Sequence, residues 1–168
     1  VVSAGGGFRE AITYVLEAMV QSPRFIYQIE SNNESLSAEE LASRLSYMIW
    51  GTSPDKELRQ KARNGELYQT DNYVAQVSRM LKHPLALKRS LSFASEWLNL
   101  GRLANMKPNA DHFPNWHPSL AADMKAETLA YYQEVVWNQR QPMSKLMNSP
   151  IAFLTPALAK HYNIPYQG

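Results

Sequence analysis

The chain has 168 residues, of which 45% are apolar, enough to form the core of one ordinary domain. Its formal net charge of +2 is too small to favour nucleic acid or an anionic membrane surface as a partner. The absence of cysteine excludes disulfides, thiolate metal sites, a cysteine nucleophile and covalent haem attachment by this chain. No apolar run approaches the roughly 18 residues of a membrane-spanning helix.

Apolar residues recur at helical spacing along most of the chain, and no segment alternates with the period of two that is typical of a half-buried strand. The pattern predicts an all-α fold, an irregular orthogonal or up-down bundle of about six to eight helices. In chain order, the predicted elements are a linker at 1–7, a helix at 8–21, a short apolar piece at 25–29, a polar loop at 31–35, helices at 37–50, 53–64, 70–83 and 85–100, an irregular segment at 101–117, a helix at 118–138, a short turn around 146 and a helix at 155–162.

Capping signals mark several helix ends. Ser37 and Glu40 have the spacing of a capping box at the start of the central helix, and Gly51 suits the left-handed conformation that closes its end. Pro54 is expected in the first turn of the next helix, where its missing N–H has no partner to lose.

Arg44 lies on the predicted apolar face of the central helix, about 40° from Met48 on a helical wheel. In one interpretation its stem packs on the core while the guanidinium reaches water. In the other the guanidinium is buried, where an unpaired charge costs several kcal/mol and therefore needs a carboxylate. Glu127 is the preferred partner, in a bidentate ion pair that fixes how two helices cross, with Glu134 or Glu96 as alternatives.

The longest predicted helix carries three carboxylates on one face, Asp123, Glu127 and Glu134. Inward-facing carboxylates are typical of di-iron bundles, but those sites also need a histidine three residues after a glutamate. None of the four histidines has that spacing, so we predict no metal site on this helix.

The irregular segment at 101–117 is long for a compact domain, and such segments tend to carry function or interfaces. One carboxylate and two imidazoles there offer ligands to a metal, although loop histidines more often bond to water or backbone. Two aromatic rings either fold back into the core or form a docking patch or sugar-stacking platform. The candidate partner or ligand residues are Asp111, His112, Phe113, Trp116 and His117.

His161, in the last predicted helix, is a further candidate. Its imidazole has the chemistry of an axial ligand to a haem carried by a neighbouring domain, although a capping or core histidine is the commoner role. We include it as a candidate haem-facing residue.

A series of strings along the chain matches the motifs of one family. The strings are SPRFIYQIE at 22–30, LASRLSYMIW at 41–50, PD at 54–55, EL at 57–58, RML at 79–81, FASEWL at 93–98, FP at 113–114, ET at 127–128 and LAKHYNI at 158–164. In that order they resemble the PSD group of planctomycete-type domains of unknown function, and its domain-of-unknown-function family 1592. The departures are Asn163, where the family usually has Gly, and Gln28, where it has Arg.

The resemblance implies a domain division and a setting. Residues 1–35 would be the end of a preceding PSD-type domain and its linker, packed on the next, and 36–168 the PSD-type helical domain. Such domains sit in large exported proteins, which implies a periplasmic or cell-surface location, and they often accompany a c-type haem domain with a C-x-x-C-H motif. The resemblance carries no catalytic residue over to this chain.

Two functions are compatible with this reasoning. The first, which we favour, is a non-catalytic scaffold or docking module of an exported, cytochrome-associated protein, with haem c on an adjacent domain or subunit that carries out electron transfer. Its partners would be other domains of the same polypeptide or a cytochrome subunit. The alternative is part of a carbohydrate-active or metal-dependent enzyme whose site neighbouring domains complete.

Overall fold

The computed structural model describes residues 7–27 and 35–166. Within these residues every regular element is helical and there is no strand, so the predicted all-α fold is confirmed. The α-helices are α1 (Phe8–Gln21), α2 (Pro23–Ile26), α3 (Ala38–Ile49), α4 (Lys56–Arg63), α5 (Thr70–Leu81), α6 (Pro84–Trp97), α7 (Pro118–Tyr132) and α8 (Pro156–Tyr162). Short 3₁₀ helices span Glu66–Tyr68, Leu100–Asn105 and Met143–Met147, and a π-helical turn spans Gln133–Asn138.

The central helix α3 starts and ends as its capping signals predict. The Ser37 N–H donates to Glu40 Oε2 at 2.7 Å, and the Glu40 N–H donates to Ser37 Oγ at 3.2 Å. Gly51 follows the helix with a φ of +69°, a conformation in which any other residue would be strained. A Cβ added there would lie 3.1 Å from Arg89 Cδ, so the Arg89 side chain of α6 packs against the end of α3 at this point.

The main core lies where α3 packs against α4, α5 and α6. Leu45, Leu58, Leu67 and Met80 are at most 2% exposed, and Trp50 is 7% exposed. Full burial of one Leu or Met side chain stabilises a fold by about 1.5–3 kcal/mol. These side chains therefore hold the four helices together.

The helix α6 joins this core to the second half of the bundle, because it packs on α3 and also on α7. The helix α7 and the π-helical turn together cover the predicted helix at 118–138, and α8 packs against α7. Leu120, Val135 and Leu158 are each at most 1% exposed, so this half has its own buried apolar side chains.

One predicted helix start is wrong. The helix predicted at 53–64 begins at Lys56, because Asp55 rather than Pro54 stands at its start. Asp55 Oδ1 accepts a hydrogen bond from the Leu58 N–H at 2.9 Å, which satisfies one of the unpaired amides of the first turn.

The first part of the chain is separated from the rest by residues that the structure does not describe. Residues 1–6 of the predicted linker at 1–7, most of the polar loop and the end of the apolar piece at 25–29 lie outside the described residues. The described part of that apolar piece is the end of α2 with its C-cap, Tyr27. The division into 1–35 and 36–168 stays a prediction. None of the described helices is both long enough and apolar enough to cross a membrane.

Candidate functional site

Arg44 lies on an exposed part of α3, so the prediction of a buried guanidinium is wrong. The buried residues of α3 are Ala38, Ala42, Leu45 and Ser46. At 100° per residue, Arg44 points more than about 100° away from the centre of that buried face.

Glu127, the partner predicted for that arginine, bonds to α8. The Tyr162 hydroxyl donates to Glu127 Oε2 at 3.0 Å, and the Thr155 hydroxyl donates to Asp123 Oδ2 at 3.0 Å. Glu134 accepts from two side-chain amides at the end of the π-helical turn. The carboxylates predicted on one face of the long helix therefore hold α8 and the π-helical turn in place.

The Tyr162 hydroxyl is kept protonated by its surroundings. Burial, the hydrogen bond to Glu127 and the negative charge of Glu127 together raise the pKa of Tyr162 to about 12. The neutral hydroxyl is the form that can donate to the carboxylate, so the raised pKa extends this contact between α7 and α8 from neutral into alkaline pH.

An ion pair that the sequence analysis missed joins α5 to the start of α4. Arg79 Nη1 and Nη2 donate to the two carboxylate oxygens of Asp55 at 2.7 and 3.1 Å, and Arg79 Nε lies 3.3 Å from Glu57 Oε1. Burial acts to raise the pKa of Asp55, but the hydrogen bonds from Arg79 and the Leu58 N–H, with the charge of Arg79, outweigh it and leave the pKa lowered. The signal available in the sequence was two separate family strings, PD at 54–55 and RML at 79–81.

Trp50 completes this polar cluster. Its Nε1 donates to the Met80 carbonyl at 2.9 Å, and the Arg79 guanidinium carbon lies 5.5 Å from its ring centroid, within reach of a cation–π interaction. Because these polar groups bond to one another, we assign the cluster to the stability of the α3–α4–α5 unit and not to ligand binding.

The candidate loop is organised by Asn109. Its side-chain oxygen accepts from the Asp111 N–H at 2.7 Å, and its carbonyl accepts from the N–H groups of His112 and Phe113. Asp111 and His112 are exposed, and Phe113 is 53% exposed, so this ring does not fold back into the core. In the parts of the chain that the structure describes, no three His, Cys, Asp or Glu side chains are grouped so as to hold a metal ion.

The other two loop residues meet His161 in one pocket. Trp116, His117 and His161 line a cavity of about 260 Å³, together with Lys160 of α8 and Leu120 of α7. Trp116 and His117 are more than forty residues before His161 in the sequence, and the packing of α8 on α7 brings them together.

The pocket combines an apolar base with a polar rim. Leu120 is 1% exposed, Trp116 and His161 are half-buried, and His117 and Lys160 are exposed. The His117 Nδ1 lies 2.6 Å from the Ser119 hydroxyl oxygen, a contact that fixes the imidazole. A few polar groups around an apolar surface are typical of a small-molecule binding site.

Comparison with known proteins places most of the chain in one family. A family model described as a protein of unknown function (DUF1592), PSD4, matches residues 36–164, which include the Asp55–Arg79 ion pair and the pocket. No curated protein and no solved structure matches the chain. The chain therefore belongs to the DUF1592 (PSD4) family of proteins of unknown function.

Proposed function

We propose that this chain is a non-catalytic docking module of an exported, multidomain protein, and that it supports electron transfer by a c-type haem on an adjacent domain or a partner subunit. Family resemblance supports the exported, cytochrome-associated setting. The docking role rests on one structural observation, the exposed apolar face of α1.

That face is formed by five side chains at helical spacing, each between 43% and 81% exposed: Phe8, Ile12, Val15, Leu16 and Met19. None of the fourteen residues of α1 is buried, and the helix contacts α2. On soluble proteins a contiguous apolar patch of more than a few hundred Å² marks an interaction site. We infer that another domain or subunit covers this face.

The haem of this proposal belongs to the partner. Thioether attachment of haem c needs cysteine, which this chain lacks. Contact between that haem and His161, which is half-buried in the α7–α8 pocket, is a further part of the proposal.

The experiment is purification of the full-length protein from its native host, followed by absorption spectroscopy and identification of co-purified chains. We expect a Soret band, either from the same polypeptide or from a co-purified cytochrome. Val15→Glu and Met19→Glu place a charge in the apolar face and should weaken the docking contact. Thr13→Glu adds the same charge on the other side of α1 and is the matched control.

Two outcomes contradict the proposal. A full-length protein with no Soret band and no co-purified cytochrome would exclude the cytochrome association. If Val15→Glu, Met19→Glu and Thr13→Glu all retain the same partners, with helix content unchanged by circular dichroism, α1 is not the docking face.

A further inference from the structure

We infer that the pocket between the loop, α7 and α8 binds a small acidic sugar, one pyranose ring that carries a carboxylate. The inference does not depend on docking through α1, because that docking face lies on α1 and the pocket lies between α7 and α8. It competes with the proposed contact between His161 and a haem, because that contact would use the same pocket. The sugar titration and the α1 variants can therefore each fail without the other.

The polar groups of the pocket favour an anion. Lys160 contributes an ammonium group, and His117 and His161 contribute imidazoles. Among the described residues that line the pocket there is no aspartate or glutamate. Asp123 and Glu127, the carboxylates of α7 that face α8, are not part of the lining and are already bonded to hydroxyls of α8 and its N-cap.

A carboxylate would bind to this lining, which has an ammonium group and no carboxylate, more strongly than a neutral hydroxyl would. Hydrogen bonds between an ammonium and a carboxylate are roughly twice as strong as those between neutral groups. The contact of His117 Nδ1 with Ser119 leaves Nε2 as the remaining polar atom of that ring, so the imidazole can serve a ligand without giving up its orientation.

The apolar part of the pocket favours a ring over a simple anion. The apolar members of the lining are Trp116 and Ala157, which are half-buried, and Leu120, which is 1% exposed. The C–H face of a pyranose can pack on such a surface, whereas acetate or sulfate would leave it in contact with water. The volume of about 260 Å³ lies just below the range of about 300–1,000 Å³ that drug-sized ligands occupy, which suits one ring.

The test is an NMR titration of the full 168-residue chain with glucuronate, glucose and acetate in parallel. The chain has four tryptophans, so the indole N–H signals form a simple spectrum. We expect glucuronate to shift the indole signal of Trp116 and to leave those of Trp50, Trp97 and Trp137 in place. Glucose and acetate should each bind at least about tenfold more weakly, because glucose lacks the carboxylate and acetate lacks the pyranose ring.

Matched variants locate the site. Lys160→Ala should weaken glucuronate binding by about tenfold or more, while Lys82→Ala, at an exposed lysine outside the pocket, should leave it unchanged. Trp116→Ala should abolish binding, and Trp97→Ala, which removes an exposed ring outside the pocket, should not.

Each contrary result overturns a definite part of the inference. Equal binding of glucose and glucuronate would exclude recognition of the charge. Equal binding of acetate would exclude recognition of the ring. The site itself would be overturned if the chain became saturated with glucuronate while the indole signal of Trp116 stayed in place, or if glucuronate did not bind at all.

Discussion

Arg79 and Asp55 join α5 to the start of α4 by two parallel hydrogen bonds, of 2.7 and 3.1 Å. The same Asp55 carboxylate accepts from the Leu58 N–H at 2.9 Å and thereby caps α4. One side chain thus starts a helix and also fixes that helix against its neighbour. Leu58, the amide donor in this arrangement, is completely buried, so the cap also positions a core side chain.

We expect Asp55→Asn to lower the free energy of unfolding by up to about 1 kcal/mol, measured by urea denaturation. Asn retains the cap but loses the ion pair, and a pair with about a third of each side chain exposed contributes no more than that. Asp55→Ala also removes the cap and should cost about 1 kcal/mol more. Asp71→Asn, at an exposed carboxylate in the first turn of α5, is the control; equal effects of Asp55→Asn and Asp71→Asn would contradict the assigned role.

The lowered pKa of Asp55 predicts a pH dependence of stability. A carboxyl whose pKa is lower in the folded than in the unfolded chain stabilises the fold above the unfolded pKa, near 4 for Asp. That stabilisation is lost as the pH falls through the folded-state pKa. Between pH 7 and pH ~3 the free energy of unfolding should therefore decrease more steeply for the native chain than for Asp55→Asn. Parallel curves would show that Asp55 does not contribute.

The helix limits were predictable where short-range chemistry sets them. The capping box of Ser37 and Glu40, the left-handed Gly51 and the threonine cap before Pro156 all depend on residues within a few positions of one another. The start of α4 was predicted wrongly, because Pro54 and Asp55 both suit a helix start. Asp55 is the residue that caps α4 in the structure, and it is also bonded to Arg79, which lies far along the chain.

Two features were not predictable from local patterns: which side of α3 faces the core, and the pocket between α7 and α8. Met48 is as apolar as Leu45, yet it is 64% exposed while Leu45 is 2% exposed, because the helices that pack around α3 determine which side becomes the core. The prediction that Arg44 is buried failed for this reason. Trp116 and His161 likewise meet only through the packing of α8 on α7, which no periodicity in either segment indicates.

Because Arg44 is exposed, its replacement tests directly which side of α3 faces the core. Arg44→Met should change the free energy of unfolding by less than about 1 kcal/mol, as is usual for exposed charges. Loss of one partner of a buried ion pair would instead cost about 3–5 kcal/mol. Leu45→Ala, at the next position of the same helix, should cost about 2–5 kcal/mol. A loss of several kcal/mol for Arg44→Met in urea denaturation would show that the guanidinium is buried after all.

Ser46 is completely buried in α3, and its hydroxyl has no hydrogen-bond partner in the described part of the chain. A buried hydroxyl without a partner is destabilising. Ser46→Ala should therefore leave the melting temperature unchanged or raise it, and should increase the free energy of unfolding by up to about 1 kcal/mol.

Ser90 provides the matched control. Its hydroxyl oxygen accepts from Trp137 Nε1 at 2.9 Å and lies 3.0 Å from the Tyr132 hydroxyl oxygen. Ser90→Ala leaves these groups without a partner and should cost about 1–3 kcal/mol. A clear loss of stability in Ser46→Ala would indicate a bonded hydroxyl.

Glu127→Gln tests the contact that holds α8 on α7. The substitution keeps the shape of the side chain and removes its charge, so the pKa of Tyr162 should fall from about 12 toward the ordinary value of about 10, with the part due to burial retained. The measurement is an ultraviolet titration of tyrosinate, in which Tyr162→Phe identifies the contribution of this residue among the nine tyrosines.

Because the pKa of Tyr162 is raised on folding, its stabilising contribution is complete below the unfolded pKa near 10 and is lost as the pH rises toward 12. The native chain should therefore lose more stability across that interval than Glu127→Gln or Tyr162→Phe. Equal losses in all three chains would show that the hydroxyl is not held by the carboxylate.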